Sequence, residues 1–234
     1  MRKWFCALAL VFGLSVAVKA DDDFVPLFNG KDLTSWKLHP ETNTGAFKEV
    51  KAVMADGKKV AWEGITKDGK TITLWKVVDG AIVGGGPMSH LYHDAAKWEN
   101  FHFRAEVKIN DKGNSGIFFR AGYRGGIPEG YEAQIDATHS DPIRTGSIYP
   151  NGEFGLNKFR KDIVVMNTAP HKPDEFFTYE IIAKGATLTT IVNGKKIKEW
   201  TDPAKTFTKG HFALQGHDPG SVMTFKKIEV KELK

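Results

Sequence analysis

Cysteine is almost missing from this 234-residue chain: the single one, Cys6, sits near the N-terminus. Everything beyond it therefore lacks a disulfide framework, a thiol nucleophile and a thiolate metal site. Long apolar runs are confined to the same region. Arg2 and Lys3 precede Trp4–Leu14, and Val18-Lys19-Ala20 gives small residues at the −3 and −1 positions before Asp21-Asp22-Asp23. The run is shorter than the roughly 20 residues of a bilayer span, and the pattern predicts a signal peptide over residues 1–20. Cys6 is too close to the N-terminus to be a lipid-modified cysteine. A membrane-embedded protein is thus not expected, whereas export to the periplasm or the cell exterior is.

Strong charge is missing too. Removing Arg2, Lys3 and Lys19 with the leader takes the formal charge from +5 to +2, which gives no electrostatic case for nucleic acid. Gly84-Gly85-Gly86-Pro87 is followed by no Lys-Ser/Thr, so no phosphate-cradling loop forms there. The absence of a Gly-x-Ser-x-Gly elbow removes support for a serine triad. The histidines at 90, 93, 102 and 139 show no zinc-like spacing, and no feature of the sequence points to an oligomeric state.

What remains is rich in short alternating segments. Phe101–Ile109 alternates apolar and polar through nine residues, the pattern of a strand with one buried face. Residues 187–192 and 195–200 flank Asn193-Gly194, a pair suited to a type I′ hairpin turn. Comparable runs at 73–78, 80–84, 116–121, 131–136, 177–184, 211–215 and 222–233 predict an all-β antiparallel sandwich or jelly roll. One such domain accounts for residues 21–234. The lysine- and glycine-rich stretch near 40–72 reads as an added hairpin or long loop, and residues 137–172 read as binding loops.

Candidate chemistry concentrates at Tyr131-Glu132-Ala133-Gln134-Ile135-Asp136. Alternation places Glu132, Gln134 and Asp136 on one face. Three acceptor-bearing side chains without a cation need an offset: a metal, an arginine or a polyhydroxylated ligand. A solvated edge strand is the bland alternative. Arg120 closes the preceding strand, either to serve that face or to form an internal ion pair. Tyr149 follows in Thr145-Gly146-Ser147-Ile148-Tyr149, as a site residue or a core aromatic. His217 lies in a turn, as acid, base or plain loop histidine. A divalent metal, if bound, is expected on Glu132 and Asp136. Of the tryptophans at 36, 62, 75, 98 and 200, some can stack on sugar rings, while most belong in a core.

The run Leu27-Phe28-Asn29-Gly30-Lys31-Asp32-Leu33-Thr34-Ser35-Trp36 resembles the opening of the 3-keto-disaccharide hydrolase domain family. Further likeness follows in order at Val78–Gly84, Asn114–Arg120, Glu132–Ile135, Thr145–Tyr149, Leu214–His217 and Phe225–Leu233. The resemblance covers nearly all of residues 24–234. It implies a concanavalin A-like (laminin-G-like) sandwich that acts on glycosides oxidised at C3, a small-molecule carbohydrate partner. Two departures stand out: where the family has a Trp-Asn pair before its Tyr-x-Ile strand, Glu175-Phe176-Phe177-Thr178-Tyr179-Glu180-Ile181 stands here, and the 40–72 stretch is longer.

On that resemblance Glu132, His217 and Arg120 are the expected catalytic residues, with Gln134, Tyr149, Asn114 and Gln215 binding substrate. A ketone at C3 acidifies the C2 proton, so a base removes it and the C1 substituent leaves. Water then adds back to complete a net hydrolysis. Glu132 and His217 share the base and acid roles in either order, and Arg120 stabilises the enolate. A non-catalytic carbohydrate-binding module or an exported scaffold domain would use the same fold without turnover.

Overall fold

The computed structural model describes residues 23–166 and 168–234, so the leader expected over residues 1–20 lies outside the described residues. Fifteen strands follow one another: β1 (Val25–Pro26), β2 (Trp36–Leu38), β3 (Phe47–Ala55), β4 (Lys58–Thr66), β5 (Thr71–Val78), β6 (Ala81–Gly84), β7 (Ser89–Trp98), β8 (Phe101–Ile109), β9 (Asn114–Gly122), β10 (Glu129–Asp136), β11 (Phe177–Lys184), β12 (Thr187–Val192), β13 (Lys195–Thr201), β14 (Gly210–Gly216) and β15 (Met223–Glu232). They build two antiparallel sheets. The larger runs β13-β12-β11-β8-β15-β6-β5-β4-β3, with β1 added to β15; the smaller runs β10-β9-β14-β7-β2. This is the sandwich that the alternating segments predict. None of the described helices is long and apolar enough to cross a membrane.

Alternation explains the layers. In β8, Phe101, Phe103, Ala105, Val107 and Ile109 are buried in the core between the sheets. The intervening side chains turn outward into cross-strand contacts, His102 hydrogen-bonded to Glu180 at 2.7 Å and Arg104 ion-paired with Glu229 at 2.7 Å. The β12–β13 hairpin turns at Asn193 (φ 50°) and Gly194 (φ 73°), the left-handed pair a type I′ turn requires. The lysine-rich 40–72 stretch supplies β3, β4 and the start of β5, which extend the large sheet.

The small sheet departs from simple in–out alternation, because β9 and β10 are buried on both faces. Tyr131, Ala133 and Ile135 enter the main core, while the opposite face is covered by loops. Tyr123 and Ile127, from the β9–β10 connection, pack on Tyr92, Phe118, Ala121 and Ala213. Beyond β10 the chain doubles back along its edge: the Gln134 amide donates to the Ser147 carbonyl (3.0 Å) and the Tyr149 amide to the Glu132 carbonyl (2.8 Å). These covers build a pocket on what would otherwise be an open sheet face.

Candidate active site

Strand pairing sets the floor of the pocket. Glu132 stands opposite Phe118 and Gln134 opposite Gly116, so all four share the outer face of the small sheet. Ala213 also pairs with Phe118, and Gln215, two residues on, points the same way. The pocket is lined by Asn114, Glu132, Gln134, Tyr149, Gln215 and His217, with Met88, Ile127 and Asn151 at its borders, and encloses about 130 Å³. Six of the residues expected from sequence thus converge on one cavity. Gly116 makes room for the central one: a Cβ there would fall 2.8 Å from the Glu132 Cγ, and closer still to its Oε1.

Glu132 is 5 % exposed. Burial pushes its carboxyl up to about 8, against a smaller opposing pull from the Gln215 amide and a push from Asp141. Near neutrality it is therefore a protonated acid. Around it, both amide atoms of Gln134, Gln215 Oε1 and Asn114 Oδ1 are buried without a hydrogen-bond partner. Orphaned polar groups of this kind cost about 1–3 kcal/mol each in a fold that does not use them. Tyr149 closes one side; its hydroxyl donates to Asp141 Oδ2 at 3.0 Å. Burial, with Asp141 and Glu132 behind it, pushes that phenol up to about 12, so it stays protonated.

His217 comes with a partner that sequence reasoning passed over. Its Nδ1 lies 2.8 Å from Asp218 Oδ2, the geometry of an Nδ1–H donating to a carboxylate, which leaves Nε2 with a free lone pair. Asp218 is itself pinned. Ser221 Oγ donates to its Oδ2 (2.6 Å) and the Gly220 amide to its Oδ1 (2.8 Å), while the Asn114 amide donates to Ser221 Oγ (2.8 Å). Burial works to raise the Asp218 carboxyl, but the Ser221 and His217 hydrogen bonds outweigh it and hold Asp218 below the usual range. The signal was present as the His217-Asp218 dipeptide. Adjacency alone does not show that both side chains fold toward each other.

His139 lies next to His217, the two rings 5.4 Å apart. Among the described residues, His139, His217 and Asp218 are the one cluster whose metal-ligating atoms all lie within 4.8 Å of one another. The hydrogen bonds speak against an ion there as folded. The Asp141 amide donates to His139 Nδ1 at 3.0 Å, so in the neutral ring the proton sits on Nε2, the atom facing Asp218 at 4.0 Å. A protonated nitrogen offers no lone pair to a metal.

Two expectations are corrected. Arg120 does not reach the pocket. Its φ of +51° forms a bulge: Ala213 pairs with Phe118 and His211 with Ala121, so β9 carries one extra residue against β14. The kink turns the guanidinium away from the outer face. Nε and Nη2 donate to the Glu99 carbonyl (2.9 and 2.6 Å) and Nη1 to the Phe207 carbonyl (3.1 Å). Asp136 keeps to the expected face but does not join Glu132 in a metal site. The turn beyond β10 lays Arg144 over it, with Nη1 2.9 Å from Asp136 Oδ1, and the His139 amide donates to the same oxygen at 3.0 Å. Asp136 thus anchors the loop that carries His139, while burial raises its carboxyl despite these partners.

A two-sheet antiparallel sandwich with a polar pocket on its smaller sheet is a fold of the concanavalin A-like class. The family profile described as "3-keto-alpha-glucoside-1,2-lyase-like domain" matches residues 23–231, and the chain belongs to that family. Comparison with curated proteins gives no match. Among solved structures, a Parabacteroides distasonis ATCC 8503 protein provisionally described as a glycosyl hydrolase is similar, at TM-score 0.63 and 21% identity over 91% of this chain and 95% of that one. The carbohydrate-binding module CBM66 from Bacillus subtilis shares the fold at TM-score 0.51 and 15% identity, over 86% and 98% of the two chains. Alginate lyase A1-II′, of polysaccharide lyase family 7, does so at 0.53 and 15%, over 89% and 100%.

Proposed function

We propose that this protein cleaves 3-keto-glycosides by elimination across C1 and C2, with His217 as base and Glu132 as acid. The observation that carries the reading is the pairing in one small pocket of a carboxylic acid held protonated by burial with an imidazole oriented through its Nδ1 by Asp218. A buried, protonated carboxyl is suited to give a proton, and an imidazole positioned by a carboxylate is suited to take one.

His217 Nε2 takes the C2 proton, which the C3 ketone acidifies. The electron pair moves toward the ketone oxygen as an enolate, and the unpartnered Gln134 amide supplies a donor for it. The enolate collapses to a C1=C2 double bond, the C1–O bond breaks, and Glu132 gives its proton to the departing oxygen. One well-placed donor at the enolate contributes about 3 kcal/mol. Water adding to the unsaturated product would complete a net hydrolysis. Asp136, the other carboxylate on the pocket face of β10, is engaged by Arg144 and does not serve as a second carboxylate beside Glu132. The leader-like pattern of residues 1–20 supports action outside the cytoplasm.

The test offers 3-keto-trehalose and 3-keto-lactose to the purified protein. Release of glucose with an unsaturated keto-sugar, abolished in Glu132→Gln and His217→Ala, is expected. Tight binding of unoxidised glycans without turnover of either keto-sugar would instead establish a binding module.

A further inference from the structure

A second cavity lies at the other end of β7. The Glu132 pocket borders the start of that strand, where Ser89 pairs with Gly216, whereas this one borders its end, where Trp98 pairs with Gly210. Its volume is about 380 Å³, and its lining includes Asn29, Asp32, Ser35, Trp36, His93 and Trp98. The run over residues 27–36, which opens the family resemblance, thus contributes to this cavity and not to the lining of the Glu132 pocket.

Two nitrogens in its wall have no partner. His93 pairs across the sheet with Trp36 and Phe212, both core residues, so it faces inward. It is 4 % exposed, its ring meets Trp36 edge to face at 5.1 Å, and its Nδ1 makes no hydrogen bond. Burial lowers this imidazole to about 4, so it is neutral and offers both a donor and an acceptor. The Trp98 Nε1–H is likewise buried and unpaired. The indoles of Trp36, Trp62 and Trp75, by contrast, donate to the Leu27 carbonyl, the Trp36 carbonyl and Ser89 Oγ.

The rest of the lining is fixed in place. Asn29 Oδ1 accepts the Lys31 and Asp32 amides at 2.8 and 2.9 Å, and Asp32 Oδ1 accepts the Thr34 amide at 2.9 Å. No lysine or arginine is among the lining residues; Lys58 and Lys59 act on Asp32 from outside the lining. The partly exposed Trp98 indole, one carboxylate and neutral donors and acceptors match a pyranose. Its C–H faces pack on indole, and its hydroxyls can satisfy both orphaned nitrogens.

We propose that this cavity is a second, non-catalytic carbohydrate site that holds one neutral pyranose unit. Chemistry at Glu132 and anchoring at Trp98 would then proceed from opposite ends of one sheet strand, raising the effective concentration of a glycan held at either end. The inference does not depend on the reaction assigned to the Glu132 pocket.

The experiment is a titration of the ¹⁵N-labelled protein with methyl α-D-glucopyranoside, following the Trp98 indole N–H resonance, identified by its loss in Trp98→Phe. A saturable shift of that resonance is expected, unchanged in Glu132→Gln. By calorimetry Trp98→Phe should weaken binding about tenfold, the share of one hydrogen bond. Ala95→Trp, which fills the cavity mouth from an exposed position, should abolish the shift while leaving the rest of the spectrum folded. No shift at saturating sugar, an equal shift with potassium chloride alone, or a shift that disappears in Glu132→Gln would overturn the assignment. None of these outcomes bears on turnover of keto-sugars.

Discussion

Replacing Glu132 by Gln should remove a specific dependence of stability on pH. In the fold the Glu132 carboxyl titrates at about 8, and the ordinary value is 4.5. Between those limits the native state holds a proton that the unfolded chain releases. The unfolded state therefore binds fewer protons, and stability falls as pH rises through the window. At 1.36 kcal/mol per pH unit, the full loss is on the order of 5 kcal/mol, of which about 2–3 kcal/mol falls between pH 6 and pH 8. Glutamine keeps the shape and cannot ionise. Urea unfolding of both proteins across this range isolates the effect, because every other titrating group is common to the two. The wild type should lose about 2–3 kcal/mol more than Glu132→Gln over those two pH units. Parallel stability curves, within about 0.5 kcal/mol of each other, would refute the claim that Glu132 is buried as a neutral acid.

Other consequences follow from the same geometry. Activity on a 3-keto-glycoside should decline above about pH 8 as Glu132 ionises, read as the alkaline limb of kcat/KM. Gly116→Ala places a methyl against Glu132; a displacement near 1 Å should lower kcat/KM about 10²-fold, with circular dichroism unchanged. Asp218→Asn should cost about 10²–10⁴ in kcat by releasing the His217 tautomer, with little change in KM. Arg120→Ala leaves the Glu99 and Phe207 carbonyls unsatisfied, which should cost about 2–4 kcal/mol in urea unfolding while kcat of the folded protein stays within about threefold.

Periodicity made most of the architecture legible, because a strand's two faces are written in alternate residues. Tyr131, Ala133 and Ile135 went to the core and Glu132 and Gln134 to the pocket as the pattern implied. The same rule failed at Arg120 for a definable reason. A bulge with positive φ normally advertises itself by glycine or asparagine, and here an arginine takes the strained conformation, held by three hydrogen bonds to main-chain carbonyls. Asp136 illustrates a different limit. Its face was readable, yet its partner Arg144 arrives from a turn whose path no period encodes. The Asp218–Ser221–Asn114 chain was hidden likewise, since it joins residues 107 positions apart.

Placement of the unsatisfied groups separates site from scaffold. Nine buried side-chain polar atoms among the described residues lack hydrogen-bond partners, and they belong to His90, His93, Trp98, Asn114, Gln134, Asp136 and Gln215. Asn114, Gln134 and Gln215 line the Glu132 pocket, His93 and Trp98 the second cavity, and His90 pairs directly with Gln215 across β7 and β14. Only Asp136 stands apart, and its other oxygen is engaged by Arg144 and the His139 amide. A fold selected for stability alone would replace such groups with apolar ones, since each costs about 1–3 kcal/mol. The histidines add a cost at low pH. Burial takes His90 to about 3 and His93 to about 4, so the unfolded chain binds their protons first and stability drops as pH falls below about 6.5. His90→Phe with His93→Phe should flatten that acid limb in urea titrations, and a limb that stays as steep would show that neither ring is buried neutral. If it flattens, the same two substitutions will have removed polar groups next to both cavities, so a more acid-stable protein with weaker sugar binding is the joint outcome that ties the stability cost to the sites.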